Sequence, residues 1–425
     1  MLLLFGVMAI LYALGAPIVF ALGIATVAKV LTSVDVPLAV IPHTMVYGVS
    51  SFTLLAAPFF MLAGVLMTRA GIAERLTEFA LALVGHIRGG LAHANIVVGM
   101  IMAGMSGSSA ADTSAIGGVL IPQMVKRGYD KTFSVGVTMA SGTIGIIIPP
   151  SIPMVFVAAI TDTSAGKLLL GGIIPGILIG LSMMGVAYVL AIKRGYPREK
   201  RTSLSELTHA SIRAFLPLLM PLLILGGIFW GIVTPTEAAT VGVVYAAFLG
   251  MCVYRTLSLR GLYASCKEAA ILISIPLTCL TTASVFGWLM TEAGVSDQVV
   301  AWLQSVTQSP LVTLVYINIL FLILGCFMDM LPAILVFVPI LLPAAVKMGI
   351  DPVFFGVMTV INFAIGLITP PFGVCLFIGA SLGNMSIPQA ARGAVWFILI
   401  MIIVLAMIVL FPPLVLYIPN LALGR

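Results

Sequence analysis

Two short polar stretches stand out as candidate ligand-binding turns in an otherwise apolar chain. GMSGSSAADTSAIGG, residues 104–118, holds several hydroxyl side chains and one carboxylate, Asp112. GCFMDMLPA, residues 325–333, holds a second carboxylate, Asp329. Small residues permit close approach of the backbone, and hydroxyl and carbonyl oxygens suit a hard cation such as Na⁺. The two stretches therefore predict cation-binding turns.

Each polar stretch is followed by a diproline in an uncharged segment. The segments are SGTIGIIIPPSIP, residues 141–153, and NFAIGLITPPFGV, residues 362–374. Proline in a helix interior removes a backbone hydrogen bond and clashes with the carbonyl four residues back, so both segments are predicted to be broken helices. Carbonyls freed near Gly145–Pro150 can coordinate a cation, while the positive N-terminal end of the next half-helix can face an anion. A purely structural proline kink is the alternative.

The composition places these breaks in a membrane. Of 425 residues, 61% are hydrophobic and 8% are charged, which excludes a soluble globular protein. Runs of at least about 20 residues with little or no charge, the length of a transmembrane helix, recur along the chain. Clear examples are 168–192, 215–236, 269–291 and 393–417. The chain is predicted to be an all-α polytopic membrane protein, whereas a β-barrel would show short alternating segments.

The two carboxylates are predicted to lie within the membrane, where a charged group is energetically costly. On insertion scales a charge there costs about 2.5–3.5 kcal/mol, so Asp329 is predicted to be functional. Its alternative role is to cap the second helix of its hairpin. For Asp112, a functional role and a role as a cap or buried hydrogen-bond acceptor are equally open.

The chain is predicted to be a tandem duplication. The diprolines are offset by 370 − 149 = 221 residues, and at that offset about 14 of 51 pairs between Ile101–Ser151 and Leu322–Phe372 are identical. LMTRAG, residues 66–71, also matches LMTEAG, residues 289–294. Inverted repeats with paired broken helices are typical of secondary transporters that bind their substrate near the midplane.

Basic residues set the predicted orientation. The net charge of +6 comes largely from loops, which indicates positive-inside bias rather than nucleic-acid binding. The densest basic group defines a cytoplasmic loop and comprises Lys193, Arg194, Arg198, Lys200, Arg201 and Arg213. Basic residues on both sides of 89–125 predict a re-entrant hairpin. With five crossings and one hairpin per repeat, the second copy is inverted and both termini are periplasmic.

The repeats have the following predicted parts. The first repeat, 1–195, contains an interfacial arm helix at 73–86, the hairpin 89–125 and the broken helix 132–160. The cytoplasmic linker is 196–213. The second repeat, 214–425, contains the arm helix 296–308, the hairpin 309–346 and the broken helix 353–382. Residues 2–31 form either two short helices or one long tilted helix.

Five motifs together resemble the large membrane subunit of TRAP (tripartite ATP-independent periplasmic) transporters, the DctM-like family. They are GMSGSSAADTSAIG, SGTIGIIIPPSIPM, TPTEAATVGVVYA, LMTRAG and NFAIGLITPPFGVCLFI. The resemblance covers essentially the whole chain. It implies a sodium-coupled importer of organic acids in the bacterial inner membrane, with an elevator-type fold. It also implies two partners, a small four-helix membrane subunit and a soluble periplasmic substrate-binding protein.

Carried over by position, the resemblance implies two Na⁺ sites and one substrate site. One Na⁺ site lies between the first hairpin tip and Ser141–Pro149, the other between the second tip and Asn362–Pro370, and the organic anion lies between the tips. The candidate substrate residues are Ser108, Ser109, Pro150, Ser151, Asp329 and Asn362. Our reasoning from the freed backbone groups gives the individual candidate Na⁺ ligands, which are Ser106, Ser108, Ser141, Gly142, Gly145, Pro149, Gly325, Asp329, Met330, Asn362, Gly366, Thr369 and Pro370. For Ser141 and Asn362, polar packing between helices is the alternative role.

Two other functions compete with a transporter. GMSG, residues 104–107, fits the GxSG pattern of intramembrane serine proteases, but such an enzyme needs a histidine on a facing helix. His93 is predicted in the same hairpin arm as Ser106. A channel is the second alternative, although an inverted repeat favours alternating access. We therefore expect no enzymatic activity.

Overall fold

The computed structural model describes residues 2–33, 36–198 and 201–424, and every regular element in these ranges is helical. Lys200 of the basic group and the terminal residues Met1 and Arg425 lie outside the described residues. The first half contains α1 (Leu2–Ala13), α2 (Ile18–Leu31), α3 (Val40–Val49), α4 (Ala56–Arg69), α5 (Ile72–Val84), α6 (Gly90–Ser106), α7 (Ser109–Lys126), α8 (Lys131–Thr143), α9 (Ile152–Thr161), α10 (Ala165–Gly171) and α11 (Ile173–Lys193).

The second half has the same order of arm helix, hairpin and broken helix. It contains α12 (Leu204–Phe229), α13 (Pro235–Phe248), α14 (Leu259–Glu292), α15 (Val295–Val306), α16 (Pro310–Phe327), α17 (Met330–Lys347), α18 (Pro352–Gly366), α19 (Val374–Leu382), α20 (Ile387–Leu410) and α21 (Pro413–Leu423). Short 3-10 helices lie at Phe52–Leu55 and Ile144–Ile146, and a π-helix at Leu249–Val253. Eight helices of the described ranges are long and apolar enough to cross a membrane.

Both predicted hairpins are present. Helices α6 and α7 pack against each other and turn at Gly107, which has a φ of 61° in the left-handed region that glycine tolerates best. Helices α16 and α17 form the corresponding hairpin in the second half. The predicted boundaries 89–125 and 309–346 agree with these helices to within one residue at each end.

Both predicted breaks are present as well. Helix α8 ends at Thr143, continues as the 3-10 turn and gives way to α9 only at Ile152. Helix α18 ends at Gly366 and α19 begins at Val374. Because prolines 149 and 150 have no amide hydrogen, the carbonyls of Gly145 and Ile146 lack their α-helical partners. The Pro149–Pro150 and Pro370–Pro371 peptide bonds are both cis.

A motif shared by the two copies starts each broken helix. Gly128 and Gly349 end the preceding hairpin with φ values of 84° and 82°. Two residues later, Asp130 accepts a hydrogen bond from the Phe133 amide at 2.9 Å, and Asp351 caps its helix in the same way. The repeated Lys-x-Gly-x-Asp pattern is thus a helix stop followed by an N-cap.

Two sequence expectations are refined by the structure. Residues 2–31 form two helices, because Gly15 adopts a φ of 82° and Pro17 precedes α2. Of the five crossings predicted per repeat, the one before the first arm helix is divided between α3, a 3-10 turn and α4, whereas the one before the second arm helix is the single 34-residue helix α14.

The helices form two packed groups. One group contains α1–α4 and α12–α14, with α14 touching α2, α3 and α4. The other contains the two hairpins, the two broken helices, α10, α11 and α20. Within the second group, each broken helix contacts the hairpin of the other repeat. Helix α9 packs on the hairpin helix α17, and α19 packs on the hairpin helix α7.

Close backbone contact between α8 and α20 predicts a substitution that loosens the second group. A Cβ atom on Gly136 would collide with the backbone of Gly393, so Gly136→Ala forces the two helices apart. Overpacking of this kind costs about 1–3 kcal/mol, and we expect a lower thermal unfolding midpoint in detergent.

The matched control is Gly118→Ala in α7, where a Cβ meets open space. That variant should be at least as stable as the parent, since alanine replaces a glycine in a helix. Equal midpoints for the two variants would contradict the close contact.

Candidate functional site

A cavity of about 150 Å³ lies between the two hairpin tips. The first tip contributes Gly107–Ala110 and the second contributes Asp329–Leu331. Ile152, Pro153, Leu367 and Val374 of the broken helices complete the wall, and Met61 of α4 closes it from the other helix group. The cavity therefore sits where the two predicted repeats meet.

Four helix N-termini converge on this cavity. Helices α7, α9, α17 and α19 all begin there, since each places a residue of its first turn or N-cap in the wall. A helix N-terminus carries a partial positive charge and unpaired amide donors. The arrangement therefore favours a bound anion.

Local hydrogen bonds hold the first tip in place. Gly107 turns the chain so that Ser108 takes the N-cap position of α7, where its hydroxyl accepts from the Ala111 amide at 3.4 Å. The Ser106 hydroxyl accepts from the Ser108 amide at 3.3 Å. A Cβ on Gly107 would lie 2.9 Å from the Pro150 carbonyl oxygen, so the tip rests directly on the first break.

Asp329 occupies the N-cap position of α17 without acting as a cap. Its backbone is extended, but its carboxylate accepts no capping hydrogen bond from the described helix, although the Met330 amide is beside it. Asp329 as a residue is exposed, and it lines the cavity. Of the two roles predicted for Asp329, this geometry favours ligand binding.

Asp112 is fully buried in the first turn of α7, and no hydrogen-bond partner reaches either carboxylate oxygen within the described ranges. The Ser106 side chain lies beside it, and Gly145 of the 3-10 turn lies against it. The buried Thr113 hydroxyl, also without a partner there, is next to Gly142. Burying an unpaired charge costs several kcal/mol, so this group of oxygens fits a bound cation.

An asparagine joins each hairpin to its broken helix. Asn95 of α6 accepts from the Ser141 hydroxyl at 2.6 Å and donates to Thr138 at 2.7 Å. Asn318 of α16 accepts from the Asn362 amide at 2.8 Å. All of these side chains are buried, and polar contacts of this kind stabilise helix pairs in membranes.

Asn95, Asn318 and Thr138 were missed by the sequence interpretation. The available signal was weak: Asn95 and Asn318 are isolated amides in the apolar runs HANIVVGM and LVYINILF. A lone polar residue in such a helix indicates a buried partner without saying which one.

The predicted substrate residues separate into two sets. Ser108, Ser109 and Asp329 line the cavity. Ser151 instead caps α9 by accepting from Met154 and donates to the Ile146 carbonyl, while Pro150 lies behind Gly107. Asn362 is buried against Asn318, although its Oδ1 atom has no partner in the described chain.

The predicted Na⁺ ligands lie along the two tip-to-break contacts. In the first, Ser106, Ser108, Gly142 and Gly145 surround Asp112 and Thr113, and Ser141 and Pro149 lie on the same broken helix. In the second, a Cβ on Gly366 would lie 2.9 Å from Gly325 Cα, and the Phe372 amide donates to the Cys326 carbonyl at 3.1 Å. Met330 lines the cavity, Thr369 donates to the Ile365 carbonyl and Pro370 is exposed.

The protease alternative is not supported by the positions of its residues. His93 and Ser106 lie on the same helix, α6, near its opposite ends. At a rise of 1.5 Å per residue they are about 20 Å apart along the axis, too far for the histidine to take a proton from the serine.

Comparison with known proteins gives a consistent result. The family described as tripartite ATP-independent periplasmic transporter, DctM component, matches residues 5–414. The chain is 39% identical over 421 residues to the sialic acid TRAP transporter large permease protein SiaM of Vibrio cholerae, covering 99% of this chain and 98% of that protein. It is 41% identical over 369 residues to the C4-dicarboxylate TRAP transporter large permease protein DctM of Pseudomonas aeruginosa, covering 87% and 86%.

Among solved structures, the fold is similar to that of the YdaH transporter of Alcanivorax borkumensis. The TM-score is 0.60 at 15% sequence identity, and the match covers 90% of this chain and 91% of that chain. At this identity the likeness shows the fold alone.

The orphan carboxylate predicts a cation effect on stability. Asp112→Asn removes a buried charge, so the variant should unfold at a higher temperature than the parent in choline chloride. Sodium chloride should stabilise the parent, by about 2.7 kcal/mol at a concentration 100 times the dissociation constant, and should stabilise the variant much less. Thermal unfolding in the two salts measures both effects.

The control is Asp297→Asn, which removes a surface carboxylate that pairs with Lys347 at 2.7 Å. Exposed pairs contribute at most about 1 kcal/mol, so this variant should keep the parent's sodium response. Full sodium stabilisation of Asp112→Asn would exclude Asp112 from a cation site.

Proposed function

This chain belongs to the DctM component family and is a large permease component of the tripartite ATP-independent periplasmic transporters; from that premise we propose that it imports an organic acid together with sodium ions. The observation that carries the proposal is the cavity on which four helix N-termini converge. Its positive partial charges select an anion, and the carboxylates beside it select cations.

Magnitudes support coupling between the two ions. A helix N-terminus contributes about 0.3–1 kcal/mol to an exposed anion, so four of them contribute about 1–4 kcal/mol. Asp329 in the same wall opposes an anion by about 4 kcal/mol at 4 Å and an effective dielectric constant of 20. The attraction of the anion to the four helix ends therefore at most equals its repulsion by the Asp329 carboxylate. A cation that neutralises this carboxylate removes the repulsion and strengthens binding of the organic acid. By linkage, the acid strengthens binding of the cation equally.

The proposed sodium positions are the two tip-to-break contacts. The first is bounded by Asp112, Thr113 and the backbone near Gly145, where buried oxygens have no other partner in the described chain. The second is bounded by Asp329 and the backbone between Asn362 and Pro370. Each position joins a hairpin to a broken helix, so a bound ion would lock the tip against the break.

The substrate class follows from the relatives and the site together. One relative is named for sialic acid and another for C4-dicarboxylates, and both compounds carry a carboxylate. We propose that such a carboxylate binds at the converging N-termini, next to Ser108 and Ser109. The substrate would be delivered by a periplasmic binding protein, with a small membrane subunit as the third component of the tripartite system.

The proposed movement is of the elevator type in the inner membrane. The cavity belongs to the group of hairpins and broken helices, and among the described residues Met61 alone lines it from the α1–α4 and α12–α14 group. A group that carries nearly the whole site can move as one body past the other, so that the site opens alternately to each side. The predicted orientation places both termini in the periplasm.

Reconstitution tests the function. Proteoliposomes containing this chain, its small subunit and the cognate binding protein should take up a labelled organic acid only with an inward sodium gradient, and uptake should saturate. The acid is chosen by a thermal-shift screen of the binding protein. Flux that rises linearly with substrate and ignores the sodium gradient would indicate a channel and overturn the proposal.

Asp329 supplies a residue-level prediction. Asp329→Asn keeps the shape and removes the charge, and we expect sodium-driven uptake to fall about tenfold or more, with a higher sodium concentration needed for half-maximal rate. Asp329→Ala should behave similarly.

The matched control is Asp351→Asn. Asp351 accepts from the Val353 amide at 2.7 Å as an N-cap of α18, and asparagine caps as well as aspartate. Uptake by this variant should match the parent. If Asp329→Asn also matched the parent, Asp329 would not belong to the site.

A further inference from the structure

A second polar pocket lies at the opposite side of the hairpin group, where α8 begins, α11 ends and the first turns of α20 pass. Its volume is about 610 Å³, and its wall contains two arginines, Arg194 and Arg392. The positive-inside rule places this end of α11 in the cytoplasm. The pocket is therefore separate from the cavity between the hairpin tips.

The two arginines differ in the number of partners that their guanidinium groups already have within the protein. Arg194 lies 3.5 Å from Asp130 and donates to the Tyr196 hydroxyl at 3.4 Å. Tyr196 is buried, and its ring lies 5.1 Å from that of Phe133, which gives the wall a fixed aromatic side. Arg392 is exposed and has no ion-pair partner in the ranges described, so the pocket has a net positive charge.

An apolar groove of about 400 Å³ runs between α11 and α20. Gly185, Val189 and Leu190 line it from α11, and Trp396 and Ile400 line it from α20. Lys193 stands at its upper end. Because a Cβ on Gly185 would meet no atom within 4 Å, this glycine leaves the groove open.

The groove and the pocket are neighbours along both helices. Lys193 of the groove is followed in the chain by Arg194 of the pocket, and Trp396 lies one helical turn after Arg392. Lys193, Arg194 and Arg392 thus lie next to the apolar groove, and because Asp130 in the same wall pairs with Arg194, the surface as a whole carries two net positive charges.

We propose that this joint surface binds one anionic phospholipid, with its phosphate at Lys193, Arg194 and Arg392 and an acyl chain in the α11–α20 groove. Basic pockets between membrane helices at the cytoplasmic side suit anionic headgroups, and tryptophan is favoured at the membrane interface. A soluble anion would use the pocket but leave the groove empty. A zwitterionic lipid would use the groove but gain little from three cations.

The site joins the two halves of the molecule. Helix α11 closes the first repeat and α20 belongs to the second, and the lipid would contact both at the edge of the hairpin group. It binds as a ligand and takes part in no chemical step.

Native mass spectrometry of the detergent-purified chain tests the assignment. Phosphatidylglycerol and phosphatidylcholine with the same acyl chains are offered in equal amounts, and phosphatidylglycerol should be retained preferentially. Each basic residue near a membrane surface is worth about a fivefold change in affinity, so Arg392→Gln and Lys193→Gln should each weaken phosphatidylglycerol binding by about that factor.

Controls separate headgroup, groove and general charge. Gly185→Leu places a side chain in the groove from a position where a Cβ meets no atom within 4 Å, and it should reduce retention of phosphatidylglycerol. Gly6→Leu, at another helical glycine where a Cβ meets open space, should not reduce it. Arg260→Gln removes an exposed positive charge at the start of α14, away from the groove, and should leave retention unchanged.

Two results would overturn the proposal. One is equal retention of the two lipids with no effect of Arg392→Gln. The other is displacement of phosphatidylglycerol by millimolar inorganic phosphate together with unchanged retention by Gly185→Leu, which would assign the pocket to a soluble anion. Normal melting curves for the variants confirm that loss of lipid does not reflect unfolding.

Discussion

The backbone N–H and C=O groups at helix ends must find hydrogen-bond partners inside the membrane, and this constraint shapes the whole fold. Two helices stop at diprolines and two hairpins turn within the fold, so backbone groups are left without helical partners where lipid cannot supply them. The molecule meets this need by interlocking its halves. Half-helix α9 packs on the hairpin of the second repeat, and α19 packs on the hairpin of the first. The cavity between the hairpin tips is the place where four helix N-termini meet.

Charge at this junction is arranged in two opposed sets. The helix N-termini favour an anion, while Asp112 and Asp329 favour cations. The aspartates oppose an anion bound at the helix N-termini, and the N-termini oppose a cation bound at the aspartates. In the proposed function, a cation and an anion bound together would offset this opposition, and the coupling we propose between them rests on that electrostatic argument.

The two halves join their hairpins to their broken helices through different side chains. Each joins its hairpin to its broken helix through a buried asparagine, but Asn95 bonds Ser141 whereas Asn318 bonds Asn362. The first diproline is buried, and the second is exposed. The orphan carboxylate next to Gly145 belongs only to the first half. The two predicted repeats thus differ in the polar groups that surround their breaks.

The sequence alone determined the membrane class, both hairpins, both breaks and the order of elements, because these follow from local rules. Proline has no amide hydrogen, glycine adopts positive φ at Gly107 and Gly128, and aspartate caps the helix that follows. The tertiary structure decided which ends meet. It placed Asp329 beside Ser108, left Asp112 without a partner and separated Ser151 from the cavity. Such contacts join residues far apart in the chain, and no local pattern specifies them because they depend on how whole helices pack.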